Sequence, residues 1–255
     1  MVFYKLREVP EAQAEQPKDE KRVIPLLRDY FTVYAVDLPG MGWSDIIAGA
    51  QYEESDLRAA VVDFVTGLDL HDVTLAGESL GGAISLQASI DLKGRVARVI
   101  AFNTYDYPNG VERGNLSARF IIGGVRMPVI GPVFAALENR RIMTGVMRGG
   151  VVDKTRLPGD FVRELRRSGR RTGYPRVARA VYRSLNGFVA ARERYRDVAV
   201  PVTLVYSDQD WSRPAEREHV AGLLAEVSRV TLPNTGHFSA LERPNEVARI
   251  LRRAN

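Results

Sequence analysis

Val73-Thr74-Leu75-Ala76-Gly77-Glu78-Ser79-Leu80-Gly81-Gly82 is the stretch whose reading decides the fold. A β-branched and apolar run leads into Gly77, a serine follows two positions later, and Gly81 stands two positions beyond it. This is the Gly-x-Ser-x-Gly spacing of a nucleophile elbow, a sharp strand-to-helix turn that lifts a serine hydroxyl clear of a sheet. A side chain at either glycine would run into neighbouring backbone, which is why the spacing needs glycine there. The pattern implies a short buried strand over Asp72 to Ala76 and a small-residue helix continuing over Gly81 to Ala88. It also puts the backbone N–H of Leu80 at a helix N-terminus, aimed at a developing oxyanion.

Outward from the elbow, strand and helix patterns alternate. Val2 to Val9 reads as an early strand, Pro10 to Glu20 as a polar stretch, Lys21 to Asp29 as a short helix and Thr32 to Val36 as a strand. Glu53 to Leu68 repeats Leu57, Ala60, Val61, Phe64, Val65 and Leu68 at helical spacing. Beyond the elbow come strands at Arg95 to Phe102, Val200 to Tyr206 and Arg229 to Leu232, with helices at Pro214 to Glu226 and Glu242 to Arg253. Such alternation implies one α/β domain with a mainly parallel, doubly wound sheet covered on both faces. The core is expected over residues 1–105 and 198–255, with 1–22 an atypical start and 106–197 a helical lid. Phe120 to Leu137, apolar but broken by Arg126, Pro128 and Pro132, is expected to be a buried lid element rather than a membrane span.

Composition narrows the function classes. The chain has 255 residues and 45% hydrophobic content, enough for one well-filled core. It has no cysteine and three scattered histidines, which removes disulfides and thiolate metal sites and argues against zinc; neither metal nor cofactor is expected. The start lacks the apolar core of a signal peptide, so the expected location is cytoplasmic. Net charge is +5, but Asp106 to Asp197 holds 19 Arg or Lys against 8 Asp or Glu, a surplus of +11 over a body at −6. Without a recognition motif this reads as a solvated arginine-rich face, and no nucleic-acid partner is expected. Oligomeric state is left open.

A serine hydroxyl needs a base within hydrogen-bond reach and a third group to orient that base. His71 lies at the wrong end of the elbow strand, and His219 falls within a helix pattern. His237, in Pro233-Asn234-Thr235-Gly236-His237-Phe238, sits in a loop just past the last strand, where Ser79, Asn103, Asp208 and Asp210 also collect. The order Ser, Asp, His selects His237 as base. Asp208 and Asp210 both follow the strand before it, Asp106 is a third candidate acid, and spacing alone does not separate them.

With Asp37-Leu38-Pro39-Gly40-Met41-Gly42-Trp43-Ser44-Asp45, the elbow, Ser207-Asp208-Gln209-Asp210, and Gly236-His237-Phe238 followed by Glu242-Arg243-Pro244, the chain resembles the lid-bearing serine-hydrolase branch of the α/β-hydrolase fold family over Val23 to Arg253. The resemblance implies an α/β-hydrolase sheet and, because the family's acid closes a Gly-x-x-Asp turn, assigns the acid to Asp210 although Ser207 replaces the glycine. It implies hydrolysis through an acyl-serine on Ser79, with Leu80 as an oxyanion donor. The expected substrate is a small to medium apolar ester or lactone lodged near Tyr105, Tyr107, Trp211 and Phe238. C–C bond hydrolysis on the same triad, and a degenerate binding protein that keeps only the fold, are the alternatives. One family feature is missing: the strand ending in His-Gly, whose loop supplies a second oxyanion donor, has no counterpart in the sequence.

Overall fold

The computed structural model describes residues 2–6, 23–113, 116–127 and 140–253. Six strands, β1 (Val2–Leu6), β2 (Phe31–Ala35), β3 (Val73–Glu78), β4 (Val96–Phe102), β5 (Val202–Ser207) and β6 (Val227–Leu232), form one sheet in the order β2-β1-β3-β4-β5-β6. From β3 to β6 every pairing is parallel. The expected α/β-hydrolase fold with a mainly parallel sheet and flanking helices is what the chain adopts.

The helices are α1 (Glu54–Gly67), α2 (Leu80–Asp91), α3 (Leu116–Arg126), α4 (Arg140–Gly149), α5 (Gly159–Ser168), α6 (Tyr174–Ala191), α7 (Pro214–Leu223) and α8 (Pro244–Arg253). Alternation along the strands builds two cores. Val73 and Leu75 of β3, Val99 and Ala101 of β4, and Leu204 and Tyr206 of β5 pack with α1, α2 and α6. Ala76, Ile100, Phe102 and Val205 point the other way and meet Val247, Ala248 and Leu251 of α8. Strands buried on both faces explain why the sequence shows near-continuous apolar runs there.

Three expectations need correction. The short helix at Lys21 to Asp29 is, where described, a single 3-10 turn, Ile24–Leu26. Pro25 has no N–H to give a helix and is tolerated only in a first turn. In the stretch expected to be a buried lid element, Val125 is buried but Phe120 is 70% exposed, because α3 turns that face outward; residues 128–137 lie outside the described residues. The early strand expected at Val2 to Val9 is present over Val2–Leu6, but it does not run with the others. β1 fills the space between β2 and β3, antiparallel to both, with Val2 opposite Ala76 and Lys5 opposite Val73.

Between β4 and β5 the chain inserts α3 to α6. Three of its arginines tie it to backbone oxygen, while others, Arg156, Arg163 and Arg183 among them, are exposed. Arg171 donates to the carbonyls of Ser44 (2.7 Å) and Gly40 (3.0 Å), Arg176 to Ile47 (2.9 Å), and Arg192 to Asp106 (3.1 Å). The planar fork of five donors suits this use. Among the described residues no helix is long and apolar enough to cross a membrane.

Candidate active site

Ser79 stands at φ 58°, ψ −126°, between β3 and α2. This region is costly for a residue with a Cβ and persists only where the surroundings impose it. A Cβ on Gly77 would come within 2.2 Å of the Gly81 carbonyl oxygen, so the turn closes only with glycine there. The Ser79 N–H donates to the Phe102 carbonyl (2.9 Å), anchoring the elbow to β4. Leu80 opens α2, whose first N–H groups have no partner within the helix.

His237 reaches this serine from the loop after β6. Its Nε2 lies 2.9 Å from Ser79 Oγ, and its Nδ1 lies 2.5 Å from Asp210 Oδ1. The imidazole is 1% exposed and the Asp210 side chain fully buried. Asp210 Oδ2 accepts the N–H of Ser212 at 3.0 Å and also the Ser212 hydroxyl. Burial works to push the Asp210 carboxyl up, but the hydrogen bond and charge of His237, with the bonds from Ser212, outweigh it and hold the carboxyl below its ordinary range.

The other candidate acids are used elsewhere. Asp208 accepts the N–H groups of Asn234 (2.9 Å) and Thr235 (3.1 Å), which hold its carboxyl low and fasten the histidine loop to the end of β5. Asp106 is 1% exposed and accepts the Tyr195 hydroxyl (3.0 Å); burial pushes it up to about 6. His71 lies at the surface beside Asp69 (3.2 Å), and His219 beside Glu193 (3.3 Å).

The expected pocket aromatics divide. Trp211 stacks on the His237 ring at 4.0 Å and 14°, and Phe238 meets it edge-on at 5.1 Å and 76°. Both therefore pack the histidine itself. Arg113 steadies Trp211 by donating to its carbonyl (3.3 Å) while pairing with Glu216. Tyr105 lies against Tyr107 (5.0 Å) and Gly110; the Tyr107 hydroxyl is buried with no hydrogen-bond partner among the described residues, and burial raises its pKa.

Sequence reasoning placed Asn103 at this edge without giving it a task, and it passed over Glu78 and Ser212 as supports. Asn103, in a left-handed conformation (φ 43°), donates from Nδ2 to Ser207 Oγ (3.1 Å) and to the His237 carbonyl (2.8 Å), while its Oδ1 accepts the Ser207 N–H (2.8 Å). Ser207 thus has a use for the hydroxyl that stands where the family has glycine. Glu78 Oε1 accepts the Ser239 hydroxyl (2.5 Å) and the Ala240 N–H (3.2 Å); burial raises its carboxyl against those bonds. The Asp-x-Ser order of 210–212 was the one local signal, since such side chains bond backbone two residues on.

The model of the alpha/beta hydrolase family matches residues 17–250, and the chain belongs to that family. It is 23% identical over 235 residues to the uncharacterised hydrolase YugF of Bacillus subtilis, covering 89% of this chain and 81% of that one. Among solved structures it is similar to Cfl2 of Burkholderia cenocepacia, with a TM-score of 0.79 at 22% identity over 99% of this chain and 91% of the other. It is also similar to a meta-cleavage product hydrolase of Pseudomonas fluorescens, with a TM-score of 0.72 at 13% identity over 100% and 96%. At these identities the likeness is one of fold.

Proposed function

We propose that the chain is a serine hydrolase that works through an acyl-serine on Ser79, with a small to medium apolar ester or lactone as substrate. The observation that carries this reading is the unbroken line Asp210 Oδ1, His237 Nδ1, His237 Nε2, Ser79 Oγ, at 2.5 and 2.9 Å, ending on a serine held in a strained elbow. In this reading His237 Nε2 takes the Ser79 proton as Oγ attacks the carbonyl carbon. The carbonyl π pair moves onto oxygen, where the Leu80 N–H meets it. Collapse of the tetrahedral adduct breaks the bond to the leaving alkoxide, which receives the proton from His237. Water then repeats the cycle on the acyl-serine, with His237 again as base, and releases the acid. Asp210 stays ionised throughout, fixing the tautomer and stabilising the imidazolium. The Trp211 face, parallel to the imidazole, adds attraction to that cation.

Residues 106–197 form the lid in this reading, and Tyr105, Trp211 and Phe238 favour an apolar acyl or ring-bearing group. C–C hydrolysis would run on the same three side chains, so a panel of simple esters against vinylogous diketones separates the two chemistries. The primary test is covalent labelling. A fluorophosphonate followed by peptide mapping is expected to mark Ser79 in the folded protein and to leave Ser79→Ala unmarked. An unlabelled wild type, or a label that survives the substitution, overturns the reading.

A further inference from the structure

One buried carboxylate beside the histidine takes no part in the steps above. Glu242 ends the one-turn helix Ser239–Glu242 and is 2% exposed. Its Oε2 accepts the N–H of Gly236 (2.8 Å), the residue immediately before His237. Its Oε1 accepts the N–H groups of Val152 (3.0 Å) and Asp153 (2.7 Å), which belong to the insertion, and Val152 is shared with Oε2 at 3.2 Å. A carboxylate has only acceptor sites and room for several donors, so it gathers N–H groups from two segments where an amide would offer one oxygen.

The two segments are in backbone contact around it. Phe238 N–H donates to the Gly150 carbonyl (3.0 Å). A Cβ on Gly236 would stand 2.5 Å from that same oxygen, and a Cβ on Gly150 would stand 2.3 Å from the Phe238 ring. From the opposite side Glu78, next to Ser79, accepts the Ser239 hydroxyl and the Ala240 N–H. The histidine loop is therefore gripped at one end by the elbow and at the other by the stem 150–153 of the insertion.

We infer that Glu242 is a positioning residue that couples the stem 150–153 to His237, so that the imidazole stands in register with Ser79 when the stem is seated against the loop. The inference rests on the serine-hydrolase reading, and it names a physical link by which the lid acts on the reaction. A displacement of about 1 Å in such a line costs roughly 10²-fold in rate, and the grip on Gly236 N–H sits one residue from the base.

The test uses two readouts on the full chain. In folded Glu242→Gln, the rate of fluorophosphonate labelling at Ser79 is expected to fall by about 10²-fold. In a His237→Ala background the same change is expected to make no further difference, since the base it positions is gone. Equal labelling rates for wild type and Glu242→Gln, or an equal loss in both backgrounds, overturn the inference. The second readout does not depend on chemistry. The downfield proton of the short His237 Nδ1 to Asp210 bond, read by NMR, is expected to weaken or shift in Glu242→Gln, and an unchanged signal counts against the link. A wild type that fails to label while this proton responds sinks the hydrolase reading and leaves the positioning role standing. Should Glu242→Gln not fold, Gly150→Ala, which drives the stem off Phe238 and spares the carboxylate, carries the same two measurements with the same expected losses.

Discussion

Asp208 and Asp210 stand two residues apart at the end of β5 and have different tasks. Asp210 gives one oxygen to His237 and the other to Ser212, whereas Asp208 spends both oxygens on the backbone of the loop that carries the histidine. Asp210→Asn presents an amide to Nδ1 and favours the wrong imidazole tautomer, so the labelling rate of Ser79 should fall by about 10⁴-fold with little change in stability. Asp208→Asn sets an NH₂ against one of two N–H groups. Its main cost should fall on loop stability, read as a lower unfolding midpoint, with a far smaller loss of rate. The reverse ranking in rate would reassign the acid. Spacing left these two carboxylates equivalent, because what separates them is the direction each side chain takes after the strand. The elbow was legible for a simpler reason: Gly77 and the strained Ser79 backbone leave few alternatives at those positions.

Strands β3, β4 and β5 were readable because each is buried on both faces and so presents a run of apolar residues with few polar interruptions. The turn at Ile24–Leu26 and the exposed side of α3 were not, since a short apolar run looks alike in helix and turn. The joints between elements were least visible, and Asp106 is one of them. It follows β4, accepts Tyr195 Oη and, through its carbonyl, Arg192, both from the segment that returns the insertion to β5. Its carboxyl goes from an ordinary 3.8 to about 6, burial being the main cause. The folded state thus keeps the proton to higher pH than the unfolded chain. The stability this confers is full below about 3.8 and is lost as pH rises through about 6, a change of about 3 kcal/mol at most. Asp106→Asn has no proton to lose. Its stability relative to wild type, measured by urea unfolding, should therefore climb between pH 4 and pH 7, and a difference that stays flat would mean that Asp106 does not titrate in this window.

The largest departure from the sequence reading concerns how the sheet is completed. Four parallel strands follow from the alternation of elements, but a five-residue strand such as β1 has no signal of direction in its side chains, because period two reads the same from either end. Its direction is visible only in the register, where Val2 meets Ala76 and Lys5 meets Val73. An antiparallel β1 has its carboxyl end, Leu6, at the margin of the sheet away from Ser79, the reverse of the direction the family's His-Gly strand would take. The central place of β1 also has an energetic consequence. Val2 to Lys5 are in register with both β2 and β3, and a proline among them removes a donor, leaves a partner carbonyl unsatisfied and brings a ring where the neighbour's backbone lies. Tyr4→Pro, in the middle of the strand, should therefore lower unfolding stability by about 3 kcal/mol or more and free both β2 and β3 to exchange amide protons faster. If β1 were instead a loosely attached arm, the same substitution would leave the urea midpoint and the exchange of the Val73–Glu78 amides unchanged, and the sheet would have to be redrawn with an open edge at β3.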